Sequence, residues 1–294
     1  MQPMKIPPIT IHGRQLRDYQ TDFKAGVFDA WKAGAIDVCG VLPTGAGKTV
    51  CLASIVNDFS LAGIPSMVVA HRQELVGQIS LALACEGITH NIIASKPTIR
   101  FASNRHVEVI GRSHYHPQAV VTVSSVDTLI RRDVSLLIPK IGLYVTDECH
   151  HFSSKGGESP NKWLKCRQMF HNALGLGVTA TPDRADGAGL GRHADGPFDC
   201  IVEGPQMREL IRRGYLTDYR VFCPPSDLDL SAIEIGGDGD YKTDQLKAAS
   251  KKSHIVGDVV EHYIKIAGGK RGVTFAISVE DAEDIARQFT EAGV

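Results

Sequence analysis

One glycine-rich octapeptide constrains this chain more than any other stretch. It reads Leu42-Pro43-Thr44-Gly45-Ala46-Gly47-Lys48-Thr49, and it lies between an apolar run at 38–41 and a run with helical spacing at 50–59. This strand–loop–helix order is typical of a phosphate-binding loop, because glycines let backbone N–H groups turn toward an anion at the start of a helix. The alternative is a glycine turn that caps a helix, since the strict pattern has glycine where this chain has Leu42.

If the loop binds a nucleotide, its last two residues have defined functions. Lys48 would reach the β- and γ-phosphates, and the Thr49 hydroxyl would bind Mg²⁺. A second candidate, Asp147-Glu148-Cys149-His150, follows an apolar run at 141–146. The first acid could hold the metal, usually through water, and the second could orient and deprotonate the attacking water. Alone, this pair would more often be a solvated turn, but a phosphate loop on a neighbouring strand favours the catalytic interpretation.

Short runs rich in β-branched residues alternate with helical patterns along most of the chain. This alternation predicts an α/β fold with a parallel sheet and helices on both faces, in which ligands bind at the carboxyl ends of the strands. The strands are predicted at 37–42, 66–70, 119–123, 141–146, 174–179, 219–222 and 272–277. The helices are predicted at 15–33, 48–61, 72–86, 126–132, 207–213, 252–267 and 279–292.

The composition is that of an ordinary soluble globular protein. The chain has 294 residues, of which 43% are hydrophobic and 22% are charged, and its net charge is −1. A nucleic-acid partner would therefore have to be held by a local patch of charge. No apolar run reaches membrane-spanning length, and residues 1–13 lack the apolar core of a signal peptide. The seven scattered cysteines contain no C-x-x-C pair, which indicates reduced thiols and predicts a cytoplasmic location.

Several short motifs, in this order, resemble those of superfamily 2 helicases of the DEAD/DEAH-like group. They are Leu16-Arg17-Asp18-Tyr19-Gln20, the 42–49 loop, Val69-Ala70-His71-Arg72-Gln73-Glu74-Leu75, Thr122-Val123-Ser124-Ser125-Val126-Asp127-Thr128-Leu129, the D-E-C-H box and Gly177-Val178-Thr179-Ala180-Thr181-Pro182. The resemblance covers residues 14–222 and implies a RecA-like domain that binds ATP and Mg²⁺. The box and the L-R-x-Y-Q motif are most similar to those of DNA-repair helicases and restriction-enzyme motor subunits. DNA is therefore the favoured partner, and RNA is the alternative.

The resemblance also implies functions for individual residues. The nucleotide would be bound by the 42–49 loop together with Arg17 and Gln20, of which Gln20 would read adenine. Mg²⁺ would be held by Thr49 and Asp147, partly through water, with Lys48, Asp147 and Glu148 as the catalytic set. His150, Thr179 and Thr181 would couple the ATP state to domain movement. His71, Arg72, Ser124 and Ser125 would contact the nucleic-acid backbone without sequence preference, although each alone could equally be a helix cap or a surface polar residue.

The same resemblance predicts how the domains are arranged. An N-terminal extension at 1–13 precedes the RecA-like domain at 14–222, a linker follows at 223–240, and an incomplete second α/β domain begins at 241–294. The later motifs of that second domain, including the arginines that would complete the ATP site, are not found. We therefore expect a fragment of a longer motor with low turnover of its own, and a nucleotide-binding module that does not hydrolyse is the alternative. His114 and His116 are interpreted as residues of a surface loop, not as metal ligands.

Overall fold

The chain forms two compact units, Met1–Asp218 and Tyr219–Val294. The structure is a computed structural model, and it describes residues 5–9, 15–71, 73–152, 161–182, 189–194, 196–222, 229–234, 241–252 and 255–294. Arg72, most of the predicted extension at 1–13 and most of the predicted linker at 223–240 therefore lie outside the described residues. No helix of the described residues is both long and apolar enough to cross a membrane.

The first unit is built around a seven-stranded sheet whose pairs are all parallel. Its strands are β1 (Asp37–Val41), β2 (Ser66–Ala70), β3 (His90–Ile93), β4 (Val121–Ser125), β5 (Leu143–Asp147), β6 (Leu174–Thr179) and β7 (Cys200–Glu203), and their order across the sheet is β3-β4-β2-β5-β6-β1-β7. Every residue of β2, β4 and β6 is buried. Strands buried on both faces tend to carry apolar runs, and such runs predicted β2 and β6. The strand predicted at 119–123 is instead β4 at Val121–Ser125, which ends in two buried serines.

Helices cover both faces of this sheet, which confirms the predicted α/β fold. They are α1 (Asp18–Lys32), α2 (Lys48–Leu61), α3 (Gln73–Cys85), α4 (Lys96–Ile110), α5 (Val126–Arg131), α6 (Lys162–Met169) and α7 (Met207–Arg212). One core lies between the sheet and α1, α2 and α3, where the rings of Phe28, Trp31 and Phe59 contact one another. The second core contains Tyr144 and Phe170, whose rings stack at 5.4 Å.

A buried ion pair joins α1 to α2 within the first core. Lys24 Nζ lies 2.7 Å from Asp58 Oδ2, and the two side chains are 2% and 1% exposed. Lys24 Nζ also donates to Ser54 Oγ at 2.9 Å and to Ser54 O at 3.3 Å. These additional hydrogen bonds offset part of the cost of taking two charges out of water. The pair fixes α1 against the helix that begins at Lys48.

A network of buried histidines joins β3 to α3 and α4. His90 Nδ1 donates to Ile88 O at 2.9 Å, so its Nε2 accepts from the Ser80 hydroxyl at 2.7 Å. The Ser80 oxygen then accepts from His106 Nε2 at 3.0 Å, and His106 Nδ1 accepts from the His114 backbone N–H at 3.3 Å. Burial lowers the pKa of His90 to about 4 and also lowers the pKa of His106, which favours the neutral form of both rings. The expectation of a surface loop is wrong for His114, which is buried.

Several elements of the first unit were absent from the sequence prediction. They are β3, α4, α6 and β7.

One predicted strand is absent from the structure. It was predicted at 219–222, but those residues form no strand, and Tyr219, Val221 and Phe222 are exposed. A short apolar run becomes a strand only where a neighbouring strand can take up its N–H and C=O groups.

The second unit is described only as helices. They are α8 (Thr243–Lys252), α9 (Ile255–Ala267) and α10 (Val279–Glu291), and the rings of Tyr263 and Phe289 pack α9 against α10 at 5.3 Å. The helix predicted at 252–267 is therefore α9, with α8 as a separate helix before it. The strand predicted at 272–277 is wrong, because those residues form no ladder and Phe275 is 93% exposed. The described part of this unit offers no strand with which they could pair.

Candidate functional site

The predicted phosphate loop joins the end of β1 to the start of α2. Gly45 and Gly47 have φ angles of 83° and 85°, in the left-handed region that glycine adopts without strain. Leu42, which departs from the strict pattern, is fully buried, and its N–H donates to Thr179 O at 3.1 Å. A Cβ added at Gly204 would lie 2.3 Å from Leu42 Cδ2, so the leucine fills space beside β7. The departure is therefore a packing residue at the foot of the loop.

The start of α1 holds this loop from one side. Gln20 Nε2 and the Tyr19 hydroxyl both donate to Ala46 O at 2.9 Å, while Gln20 Oε1 accepts from the Arg17 N–H at 3.0 Å. A Cβ added at Gly47 would lie 2.5 Å from Gln20 Nε2, so only glycine leaves room for this contact. The structure thus places the buried Gln20 side chain against the loop.

Residues after α7 add a contact that the sequence did not predict. The Tyr215 hydroxyl donates to Asp18 Oδ1 at 2.9 Å, and Arg213 forms an ion pair with the same carboxylate. The guanidinium groups of Arg17 and Arg213 lie 5.1 and 5.2 Å from the centre of the Tyr215 ring. The Arg212-Arg213 pair was visible in the sequence, but Arg213 and Asp18 are 195 positions apart. No local pattern could have linked them.

The D-E-C-H box begins at Asp147, the last residue of β5, at the same edge of the sheet. The phosphate loop is not on a neighbouring strand as expected, because β6 lies between β5 and β1. Val41 pairs with Thr179 and Asp147 with Val178, so the end of β6 separates the two motifs. Glu148 has a φ angle of 55°, which is uncommon for a residue with a side chain and turns the chain sharply after the strand.

The two acids of the box have different electrostatic surroundings. Burial raises the pKa of the Asp147 carboxyl, and the neighbouring Glu148 charge raises it further, whereas Lys48 acts in the opposite direction. A hydrogen bond with His150 lowers the pKa of Glu148, and Lys48 lowers it as well. Lys48 therefore lies close enough to act on both carboxylates. Burial thus disfavours the charged form of Asp147, whereas the hydrogen bond with His150 favours the charged form of Glu148.

His150 brings the predicted coupling residues together. Its Nδ1 lies 3.3 Å from Glu148 Oε2, 3.0 Å from Thr179 Oγ1 and 3.4 Å from Thr181 Oγ1. The Thr181 N–H donates to Thr179 Oγ1 at 3.1 Å, which closes the turn after β6. One imidazole thus contacts both the acidic box and the end of the strand beside it.

A group of aromatic rings continues from the box toward β2. The rings of His150 and His151 are 4.3 Å apart, and those of His151 and His71 stack at 4.2 Å with an interplanar angle of 18°. Trp163, on α6, lies nearly parallel to His71 and His151 at 5.6 and 5.5 Å. Burial, followed by the charges of His150 and His71, lowers the pKa of His151 to about 4. His151 is therefore neutral within the group.

The predicted backbone contacts are distributed unevenly around this edge. His71 follows β2 and is partly exposed, and Arg72 lies outside the described residues. Ser124 and Ser125 end the neighbouring strand β4 but are 0% and 2% exposed. The Ser124 hydroxyl donates to Ile93 O at 3.0 Å, and the Ser125 hydroxyl accepts from the Thr128 N–H as the cap of α5. Contact of these two hydroxyls with a phosphate stays a prediction.

The oxygen donors of the site suit Mg²⁺ bound together with a nucleotide. Among the described residues, no group of three or more His, Cys, Asp or Glu side chains could hold a metal by itself. Mg²⁺ usually takes one or two carboxylates and completes its shell with phosphates and water. The Asp147 carboxylate and the Thr49 hydroxyl are donors of this type, and both lie at the carboxyl edge of the sheet.

The fold and the site define a class of protein. A parallel sheet with a Gly-Lys-Thr loop after one strand and an Asp-Glu pair at the end of another is typical of P-loop nucleotide-binding domains, a class that includes the RecA-like domain of superfamily 2 helicases. The family match confirms the resemblance to those helicases. The family described as "Type III restriction enzyme, res subunit" matches residues 14–184, and the chain belongs to this family.

Individual relatives are similar over much of the chain. It is 29% identical to a 51.5 kDa protein of a Lactococcus phage (isolate 7-9) over 252 residues, which cover 86% of this chain and 46% of that protein. It is 30% identical to the DNA 3'-5' translocase XPB2 of Sulfurisphaera tokodaii over 212 residues, which cover 70% of this chain and 39% of that protein. The chain spans less than half the length of the curated relatives it matches.

A solved structure is also similar. It is a nuclease-deletion mutant of the Type ISP restriction-modification enzyme LlaGI in complex with a DNA substrate mimic. The TM-score is 0.49 and the sequence identity 14%, over 69% of this chain and 21% of that one.

Proposed function

We propose that this chain is the ATP-binding part of an ATP-dependent helicase or translocase that acts on DNA. One observation carries the proposal: the loop that ends in Lys48 and Thr49 and the acids Asp147 and Glu148 meet at one edge of the sheet, with the end of β6 between them. The positive charge of Lys48 favours the ionised form of both acids, although burial raises the pKa of Asp147 overall. Family membership supports the same function.

Each residue of the site then has a role in binding or hydrolysis. The loop N–H groups and Lys48 bind the phosphates, while Gln20 contacts the base. Thr49 and Asp147 would hold Mg²⁺, which would neutralise charge on the phosphate oxygens when bound. Glu148 orients the attacking water and accepts its proton. His150 contacts Glu148, Thr179 and Thr181, so removal of the γ-phosphate can be transmitted to the end of β6.

DNA is the partner that the observations favour. The relative named a DNA translocase is 30% identical over 212 residues, and the L-R-x-Y-Q motif and the D-E-C-H box resemble those of DNA-directed motors. Because the net charge is −1, the contact must come from a local surface at the carboxyl edge of the sheet. RNA is the alternative, and a competition between single-stranded DNA and RNA of equal length decides between them.

Replacement of Lys48 tests the nucleotide site. Lys48→Ala should weaken Mg-ATP binding by roughly 10- to 100-fold, since a hydrogen bond to a charged group contributes about 1.5–3 kcal/mol. The measurement is isothermal titration calorimetry, and Lys140→Ala, at an exposed lysine outside the site, is the matched control. Equal ATP affinity in the two variants would refute the assignment.

Replacement of Glu148 tests hydrolysis separately from binding. Glu148→Gln should keep ATP binding and lose phosphate release, which distinguishes a hydrolase from a module that only binds the nucleotide.

The nucleic-acid half of the proposal predicts a strong dependence on salt. Contacts with phosphates release counterions, so affinity for a single-stranded oligonucleotide should fall steeply as salt rises from about 50 to 200 mM. Oligonucleotides of unrelated sequence should give the same slope. The measurement is fluorescence anisotropy with a labelled strand, and a flat response would show that the partner is not a phosphate backbone.

A further inference from the structure

The ring group of His71, His151 and Trp163 joins two motifs that were assigned to different ligands. His71 follows β2 at the predicted nucleic-acid edge, whereas His151 directly follows the D-E-C-H box. Their rings stack at 4.2 Å with an interplanar angle of 18°, which is direct contact. Trp163 is 3% exposed and nearly parallel to both rings, so it supports the pair from the protein interior.

A continuous series of side-chain contacts leads from Glu148, the proposed catalytic acid, to His71. Glu148 Oε2 lies 3.3 Å from His150 Nδ1, and the ring of His150 lies 4.3 Å from that of His151. His151 then stacks on His71. A shift of Glu148 or His150 on nucleotide binding would therefore have to repack the stack or move His71 with it, since packed side chains deform little.

We propose that His151 is a positioning residue. Because its ring contacts both His150 and His71, the positions of Glu148 and His150 depend on the position of His71, and the reverse also holds. The affinity for nucleotide and the affinity for single-stranded DNA are therefore coupled through the His151 ring. The inference rests on the proposed function, because it needs both ligands to bind. It assigns the coupling to one side chain that neither ligand is expected to touch.

The local backbone supports a role beyond filling space. Glu148 has a φ angle of 55°, and the chain then passes through a single turn of 3-10 helix at Cys149–His151. This tight turn presents His150 to Thr179 and His151 to His71. Two adjacent histidines thus contact residues at the carboxyl ends of two different strands, Thr179 in β6 and His71 directly after β2. A strained turn between two ligand sites is a place where small shifts are transmitted as rotation of the residues that follow.

The test is a thermodynamic cycle on the full chain. The affinity for a labelled single-stranded oligonucleotide is measured with and without Mg²⁺ and a non-hydrolysable ATP analogue, and the ratio of the two affinities is the coupling factor. Wild type should give a factor of roughly 5 or more in either direction, which is the low end of typical couplings. His151→Ala should bring the factor to about 1 while each single affinity changes much less.

Two variants serve as controls. His151→Phe keeps an aromatic ring and should retain most of the coupling, whereas His171→Ala removes an exposed histidine on the same unit and should retain all of it. A wild-type factor in His151→Ala would overturn the proposal, as would a factor of about 1 in wild type. Failure of wild type to bind the nucleotide would instead refute the proposed function, so the two failures are distinguishable.

Trp163 provides a second and more direct measurement. The chain has two tryptophans, Trp31 and Trp163, so Trp31→Phe leaves Trp163 as the reporter of the ring group. Binding of the Mg²⁺–nucleotide analogue should change its emission, and His151→Ala in the same background should abolish that change while nucleotide binding persists in calorimetry. An unchanged emission response in the His151→Ala variant would show that the stack does not follow the nucleotide site.

Discussion

The two units of the chain differ in how they place some of their largest apolar side chains. In the first, Phe28 and Phe59 are fully buried between the sheet and its helices. In the second, Val273 and Phe275 are 81% and 93% exposed, and the described elements are three helices without a sheet. An apolar run therefore becomes part of a core only where a second layer of structure covers it. The hydrophobic content of a segment alone does not predict its burial.

The largest expected difference between the units is in the cost of removing an aromatic ring. Phe28→Ala should lower the free energy of unfolding by about 3–5 kcal/mol, because it leaves a cavity between Trp31 and Phe59. Phe275→Ala should change it by less than about 0.5 kcal/mol, as at an ordinary surface site. Chemical denaturation measures both, and equal losses would show that Phe275 is buried in solution.

Acid should destabilise the first unit through its buried histidines. The pKa of His90 falls from 6.5 in the unfolded chain to about 4 in the fold. Between these two pKa values the unfolded chain binds a proton at His90 that the folded chain does not bind. The contribution of the neutral His90 to the free energy of unfolding is therefore complete above pH 6.5 and is lost as the pH falls toward 4. His90 alone accounts for at most about 3 kcal/mol.

Hydrogen exchange followed by mass spectrometry between pH 7 and 5 separates the two units. As the pH falls, protection of β3 and α3 should fall by more than the intrinsic pH dependence of exchange predicts. Helix α10 should not respond in this way, because the described side chains of its unit include no buried histidine. His90→Gln should flatten the pH dependence, and the exposed His171→Gln should leave it intact. The same slope in His90→Gln would assign the effect to other groups.

A smaller effect is expected from the amide that holds the phosphate loop. Gln20→Ala removes the hydrogen bonds to Ala46 O and to the Arg17 N–H, so both ATP and GTP should bind roughly 2- to 10-fold more weakly. ATP should lose more, since an amide can pair with adenine as donor and acceptor at once. Gln288→Ala, in the second unit, should leave both affinities unchanged. Calorimetry with each nucleotide is the measurement, and equal losses for ATP and GTP would limit Gln20 to holding the loop.

Sequence patterns were most informative where the determinants are local. The 42–49 loop needs glycines at two positions and a helix directly after it, and all of this is written within a dozen residues. By contrast, β3 has only four residues and includes His90 and Asn91, so its burial depends on Ser80 and His106 from other elements. Such pairings have no local signature, and the strand could not be predicted.

The same distinction applies within the candidate site. The order of strands placed β6 between the two motifs, and the sequence could not show this because each motif lies after its own strand. The contacts of Asp18 with Arg213 and Tyr215 also depend on how the chain returns to its beginning. The strand predicted at 272–277 failed for the opposite reason, since its β-rich residues have no neighbouring strand in the described part of the unit.

The buried ion pair between Lys24 and Asp58 has a consequence for how the sequence of this chain can diverge. Loss of either partner alone leaves a buried charge uncompensated and costs about 3–5 kcal/mol, a large part of the 5–15 kcal/mol that stabilise a typical domain. A lineage that changes one position must therefore change the other almost at once, for example to two apolar residues of similar volume. The pair should be inherited or replaced as a unit, and the helices α1 and α2 beside the 42–49 loop would keep their mutual position in either case.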